Sequence, residues 1–507
     1  MNSKIKMYNQ NNIGENEIGK NLMMQAINSF INECYNDRKL YKDIIERLFT
    51  SFDSTFEILS KNKYLKKSKK EIKIQMESNI EFLYKKIMSL EKKNNLILYN
   101  CLSSIYGGFL GDAIGAYCEF DHPNVDNIKK IYHGNPRFGD DKGQVTDDSE
   151  MAMCLGFGVM DSKSLKSIDQ NIIFKYYGAW AKSKPNDIGH TTRKALQEFK
   201  FDFFSNNQNL NEIFQKIKKS NYKSKANGFL MRISPFVVWC NFAFKDTIEN
   251  VFFKKEKILN LYILIKTQAE KDCNCTHPNP LLPTVSACFC LLALGAINDL
   301  KPIDLINDLK ELINDKYFDE NPNEKEIKNI ILDELSIYKK ISNNNFKNFN
   351  DFDYFTKGEK SVAQNIGYYI HAFRLTLFYI YFFDNLKQSG KFTKFRNIMN
   401  SICTYGGDTD TNAAIVGTVI GPLIGYKEFG EKEFSQMFRL IPQKRSIFSP
   451  ALMVNYIYFL EDLESNKLYD NKLPFLKMYL EFCYLPYDGN PVRFKRYDNS
   501  NFCCSII

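Results

Sequence analysis

Seven glycines set the strongest constraint on how this chain can fold. Gly107, Gly108, Gly111 and Gly115 recur at helical spacing in an apolar stretch, and Gly417, Gly421 and Gly425 repeat the pattern late in the chain. A glycine inside a helix costs about 1 kcal/mol relative to alanine. Repetition on one face therefore implies close approach of another backbone. Two glycine-faced helices, one early and one late, are expected to cross and draw their ends together. Membrane helix pairs also use glycine spacing, but these runs are too short and too close to charges to span a bilayer. The longest uncharged run, Cys273 to Asn298, is interrupted by His277 and three prolines and reads as a core helix from about Val285 to Ile297.

The late glycine helix is introduced by Tyr405-Gly406-Gly407-Asp408-Thr409-Asp410-Thr411-Asn412, and no charged residue follows from Ala413 to Tyr426. A glycine turn leading into an apolar helix leaves its carboxylates and hydroxyls at the helix start, beside free backbone N–H groups. Bunched oxygen ligands of this kind suit Mg²⁺, Mn²⁺ or Ca²⁺ better than zinc. The same residues also make an ordinary helix cap. Thr146-Asp147-Asp148 mirrors the late cluster, and Gly111-Asp112-Ala113 is followed closely by Glu119. Adjacent carboxylates repel one another, so two such pairs in one fold are best reconciled by a cation. Two further clusters are Asn186-Asp187-Ile188-Gly189-His190 and Asn227-Gly228-Phe229-Leu230-Met231-Arg232. Taken singly, each reads equally as a loop or turn. Cys273-Asn-Cys275-Thr-His277 lacks the spacing of a zinc finger.

Between the clusters apolar residues recur at steps of three and four, as in 172–181, 210–217, 258–265, 373–383 and 451–463. Alternating strand patterns are scarce, and the expected fold class is all-α, with a globular core. Residues 1–95 read as a helical N-terminal extension, partly flexible, with Ile72, Met76, Ile80, Leu83 and Ile87 on one face and a lysine-dense linker at 61–70. Residues 96–485 form the expected main domain, with insertions near 242–256 and 301–360, the second partly a long loop. Residues 486–507 form a tail. The 507-residue chain has a net charge of +9, a mild excess that does not argue for nucleic acid. Its 13 cysteines, odd in number and irregular in spacing, read as reduced and buried in a cytoplasmic protein. The opening 20 residues lack the apolar segment of a secretory signal.

Taken together, Gly111-Asp-Ala-Ile-Gly-Ala with Glu119, Thr146-Asp-Asp with Met151, Asp187-Ile-Gly, Asn227-Gly with Leu-Met-Arg, Thr276-His-Pro and Gly406-Gly-Asp-Thr-Asp-Thr-Asn-Ala-Ala resemble the ADP-ribosylglycohydrolase family. The resemblance is closest to its dinitrogenase reductase-activating glycohydrolase branch. It implies a compact orthogonal multi-helix all-α domain with two Mg²⁺ ions, replaceable by Mn²⁺, that hydrolyses the N-glycosidic bond of ADP-ribosylated protein side chains and releases ADP-ribose. Carried over by position, the implied metal ligands are Thr146, Asp147, Asp148, Asp408, Asp410 and Thr411, with Asp410 bridging the ions. Asp187, Glu119 and Asp148 are the implied catalytic residues. His190, Asn227, Gly228, Met231, His277, Gly406 and Gly407 are the implied substrate contacts. Asp112 is expected to position the early helix or to make a bond behind the ligands, and Arg232 to contact phosphate or to pair with a carboxylate.

Asp187 favours arginine-linked substrates. His190 departs from the asparagine common in that branch. The alternatives are a non-catalytic ADP-ribose-binding member of the fold, or a hydrolase of serine-linked or small-molecule ADP-ribosyl substrates. The expected partners are an ADP-ribosylated protein and ADP-ribose, for a monomer that binds no nucleic acid. The final Cys504-Ser-Ile-Ile fits a prenylation motif, with Cys503, Arg493, Lys495 and Arg496 upstream. Membrane association, peripheral in kind, is expected only if Cys504 is lipidated.

Overall fold

A computed structural model describes residues 2–61, 65–130, 134, 135, 137, 141–162, 164–199, 209–343, 349–388, 394–439, 446–464 and 473–487. The C-terminal motif lies outside these residues. Among them the chain forms 24 α-helices and no strand, so the fold is all-α.

At its centre the early glycine helix, Leu96–Gly115, crosses the late glycine helix, Thr409–Ile424. Asn95 caps the first by accepting from Leu98 N at 3.1 Å. The second ends at Gly425, whose φ of +93° favours glycine and whose N–H bonds Gly421 O at 2.7 Å. Glycines make the crossing possible. A Cβ at Gly107 would overlap the carbonyl oxygen of Gly417, and one at Gly417 the carbonyl oxygen of Gly107. One at Gly115 would lie 2.5 Å from Asp410 N. Pro422, inside the late helix, cannot donate to Thr418 O. The Ser104 hydroxyl of the early helix donates to that oxygen instead, at 2.9 Å.

Around this pair pack Leu282–Ile297, which is buried throughout, with Asp147–Met160, Ser234–Ala243, Tyr369–Tyr381 and Phe395–Tyr405. The helices Asn2–Asn36, Arg38–Thr50, Phe52–Ser60 and Lys69–Ser89 share this core. Phe49 sits 5.7 Å from Phe448 and 6.1 Å from Tyr176 between ring centroids. The Asn79 amide donates to Phe482 O at 2.8 Å and Leu485 O at 2.7 Å. Ser68 and Glu71 form a capping box on Lys69–Ser89. In the lysine-dense stretch Lys66 and Lys70 are exposed, while Lys67 donates to Tyr484 O at 2.7 Å.

The described part of the second insertion is largely helical. It is built from the helices Pro302–Ile313, Tyr317–Glu320, Pro322–Asn343 and Asp351–Thr356. Charged and asparagine residues mask an amphipathic period there, in which Leu305, Leu309, Leu312, Ile327, Ile331, Leu335 and Tyr338 face the core. Buried Glu334 pins the segment by accepting from Tyr354 at 2.9 Å and from Lys360, and by an ion pair with Arg374, whose Nε lies 2.9 Å away. The asparagine run at 344–348 lies outside the described residues. The first insertion contains the helix Lys245–Lys254.

Candidate active site

The glycine crossing sets the start of Thr409–Ile424, with the late cluster, against the end of Leu96–Gly115, whose Asp112 accepts from Thr146 N and Ser149 N at the start of Asp147–Met160 and so ties in the early cluster. Gly406 and Gly407 have φ of +72° and +76°, and this turn aims Asp408 into the start of the late helix. Phe120 N donates to Gly407 O at 2.7 Å, and Gly407 N donates to Asp121 O at 3.1 Å. This exchange fastens the late turn to the segment carrying Glu119. Asp408, Asp410 and Thr411 are buried, as are Thr146, Asp148 and Glu119, while Asp147 is half-buried.

Asp148 lies at the meeting point. Its Oδ2 accepts from Thr146 Oγ1 and from Thr411 Oγ1, both at 3.3 Å, one hydroxyl from each cluster. Its Oδ1 is buried with no hydrogen-bond partner. Asp408 Oδ2 accepts from the Asn227 amide at 2.7 Å, and Asp410 Oδ1 from Thr411 N at 2.9 Å. Glu119 Oε2 accepts from Asn135 Nδ2 at 2.9 Å. Glu119, Asp408 and Asp410 each bring an oxygen within 4.8 Å of the others, the one such group of potential metal ligands among the described residues.

Burial pushes these carboxyl groups up from their ordinary range, and mutual repulsion adds to it. Glu119 rises to about 9, through burial and then through Asp408, Asp147 and Asp187. Asp147, Asp148 and Asp410 also lie well above the usual range for the same reasons. Such a cluster is held ionised by positive charge. The donors are carboxylates and hydroxyls, one buried oxygen lacks a partner, and three carboxylate oxygens converge. This set fits a hard divalent cation.

A cleft opens over the cluster, lined by Glu119, Gln144, Thr146, Asp147, Asn186 and Asp187. Asp187 is half-buried on its wall, whereas His190 is exposed at the first turn of His190–Leu196. Asn227 and Gly228 start a buried 3-10 turn with Met231 just beyond it. Gly228 faces the His277 ring, which a Cβ there would approach to 2.9 Å. Nδ1 of His277 bonds Thr276 Oγ1 at 2.8 Å, and its buried Nε2 has no partner. Burial, with Arg232 nearby, keeps His277 neutral by holding it well below its usual range.

Arg232 resolves to the structural reading. It is fully buried, bonds Asp272 Oδ2 at 3.2 Å through Nε and Asp272 O at 3.1 Å through Nη2, and lies 4.4 Å from the Tyr177 ring centroid. Cys273 and Cys275 are buried free thiols. The sequence reading missed Asn135 and the 361–368 loop, where Gly367 O accepts from Asn227 N at 2.9 Å and the Val362 carbonyl abuts Gly407. The signal was faint: an Asn-Ile-Gly turn for the loop and none for Asn135.

The ADP-ribosylglycohydrolase family model matches residues 96–439, about two thirds of the chain and the whole of this site. The chain belongs to the ADP-ribosylglycohydrolase family. Like its family, it is a hydrolase of the glycosidase kind directed at ADP-ribosyl linkages. It is 26% identical over 339 residues to a protein of Acanthamoeba polyphaga mimivirus whose name assigns it as an ADP-ribosyl glycohydrolase, covering 65% of this chain and 88% of that one. It is 30% identical over 102 residues to the ADP-ribosyl-[dinitrogen reductase] glycohydrolase of Rhodospirillum rubrum, covering 19% of this chain and 34% of that one. A solved ADP-ribosylglycohydrolase-related protein complex aligns over 76% of this chain and 98% of its own, at 15% identity and a TM-score of 0.42. No helix among the described residues of this ADP-ribosylglycohydrolase is long and apolar enough to cross a membrane.

Proposed function

We propose that this ADP-ribosylglycohydrolase removes ADP-ribose from modified protein side chains, arginine foremost, at a two-cation centre shared by 146–148 and 408–411. One observation carries the reading. Hydroxyls from both clusters meet on Asp148 Oδ2, while Asp148 Oδ1 stays buried and unpartnered. Thr146, Asp147, Asp148, Asp408, Asp410 and Thr411 would hold the ions, and Glu119, whose oxygen lies within 4.8 Å of those of Asp408 and Asp410, would assist them. When bound, Mg²⁺ or Mn²⁺ supplies Lewis-acid charge suited to orienting vicinal ribose hydroxyls and a water.

The chain's own groups account for the rest. Cleavage at the anomeric carbon builds oxocarbenium-like positive charge, which the carboxylates of Glu119 and Asp148 stabilise. Asp187 shares the cleft with Glu119 and Asp147, which supports giving it the proton transfer to the departing guanidine nitrogen. Asn227 orients Asp408 through its 2.7 Å bond. Gly228 lets its backbone pack directly on the His277 ring, and this contact supports setting the pair together beside the substrate. Gly406, Gly407 and Met231 form the floor and side of the ribose region. His190, exposed at the rim, contacts the protein substrate around the modified side chain.

The test incubates the protein with arginine-linked and serine-linked ADP-ribosyl proteins, in Mg²⁺ or in EDTA. Release of ADP-ribose from the arginine linkage, lost in EDTA, is expected. Absence of release from either substrate in Mg²⁺ defeats the enzymatic reading, and preference for the serine linkage defeats the arginine assignment.

A further inference from the structure

The helix Asp147–Met160 starts in an unusual way. Its N-cap is Thr146, in the extended conformation common for a cap, with φ −101° and ψ −163°, yet the Thr146 side chain makes no capping bond. An N-cap hydroxyl ordinarily accepts from the backbone N–H of the second or third helical residue. Here Asp112, from the early glycine helix, takes that role. Its Oδ2 accepts from Ser149 N, the third helical residue, at 3.2 Å, and from Ser149 Oγ at 2.5 Å. Both its oxygens accept from Thr146 N, at 3.1 and 3.0 Å. Asp112 is fully buried and Ser149 nearly so.

We infer that Asp112, with Ser149, is a positioning residue that caps this helix from a neighbouring element and so releases the Thr146 hydroxyl to serve the cation site. The consequence for Thr146 is visible. Its Oγ1, within reach of Asp112 as well, points off the helix to Asp148 Oδ2, alongside the Thr411 hydroxyl from the other cluster. A threonine at a helix start has two competing uses, as a cap for its own helix or as a ligand on the outer side. It cannot serve both with one hydroxyl. Removing Asp112 leaves Ser149 N without its acceptor, and the Thr146 side chain is the nearest group of the right chemistry to replace it. The hydroxyl then swings back onto the helix and away from Asp148. Asp112 itself holds no cation in this account. Its effect on metal binding passes through Thr146.

This inference rests on the two-cation reading, and the experiment separates the two. Mn²⁺ binding to the full-length protein is measured by calorimetric titration for the wild type, Asp112→Ala, Thr146→Ala and the double variant, with circular dichroism and melting temperature recorded for each. Loss of an outer partner typically weakens metal binding roughly 10- to 100-fold. That loss is expected for Asp112→Ala, with Thr146→Ala similar, and the double variant no weaker than Thr146→Ala alone. Losses that multiply in the double variant would mean that Asp112 acts by a separate route, and would overturn the inference. So would wild-type affinity in a folded Asp112→Ala protein. If Asp112→Ala does not fold, Asp112→Asn and Ser149→Ala enter the same cycle, with the same non-additivity expected. Absence of Mn²⁺ binding by the wild type removes the two-cation reading and this inference with it.

Discussion

Asp148 carries a heavy electrostatic demand. Burial and the neighbouring Asp112, Asp147 and Asp408 all oppose its charge, against the Thr411 hydroxyl that favours it. Asp148→Asn keeps the shape but removes the anionic oxygen, and is expected to abolish measurable Mn²⁺ binding while leaving the fold intact by circular dichroism. Unchanged Mn²⁺ affinity would remove Asp148 from the ligand set. The raised carboxyls also predict a pH dependence of the metal-free protein. A carboxyl whose pKa is raised on folding stabilises the fold fully below its unfolded value and loses that contribution as pH climbs through the folded one. For Glu119 that window runs from 4.5 to about 9. In EDTA the melting temperature is therefore expected to fall as pH rises through this window, and in Mg²⁺ the fall is expected to shrink. A melting temperature that rises with pH in EDTA would contradict the electrostatics described here. The two acidic clusters were legible in the sequence because their residues are contiguous. The capping by Asp112 was not, since it depends on where a helix 34 positions away begins. Asn135 was silent for the same reason.

At the scale of elements, the glycine spacing was the most informative signal, because glycine at helical intervals has few physical explanations other than backbone contact. Gly417→Ala sets a methyl against the Gly107 carbonyl. The helices must then separate, and overpacking of this kind costs about 1–3 kcal/mol, to be read from urea denaturation. Mn²⁺ affinity should fall with it, since the late cluster rides on one of these helices and the early cluster is bonded to the other through Asp112. Stability and affinity equal to wild type would mean that the crossing does not set the site. Arg232→Ala is expected to destabilise by about 3–5 kcal/mol, because it leaves Asp272 buried and unpaired. The same denaturation curve checks it, and a well-folded variant with weakened ADP-ribose binding would restore the phosphate role. The helices of 302–356 were hidden in the sequence by their charge. Their burial comes from one narrow stripe, and Glu324 and Glu334 sit inside the core only because lysine, arginine and tyrosine reach them there.

At the scale of the whole molecule, the first 95 residues read in sequence as an attachment, but they complete the core. Tyr41 donates to Asp161 at 3.3 Å, and Asp161 caps the far end of the helix that carries Asp147 and Asp148. Asp161 also accepts from Tyr176 at 2.6 Å and from Phe475 N at 3.0 Å, joining three parts of the chain. A fragment starting at residue 96 would expose the faces that Ile44, Leu48, Phe49, Ile80 and Leu83 cover. It is expected to aggregate, or to melt well below the full chain in a scanning measurement. Equal melting temperatures would make the extension dispensable. Sequence periodicity showed these helices but not their docking, since an apolar stripe does not name what it packs against.

The central claim is that two acidic clusters, separated along the chain and joined by a glycine crossing, form one binuclear centre. Anomalous diffraction from a crystal of the full-length protein soaked in Mn²⁺ tests it most directly. The account predicts two peaks between 146–148 and 408–411, with Asp410 contacting both. One peak, or none, between the clusters would contradict it.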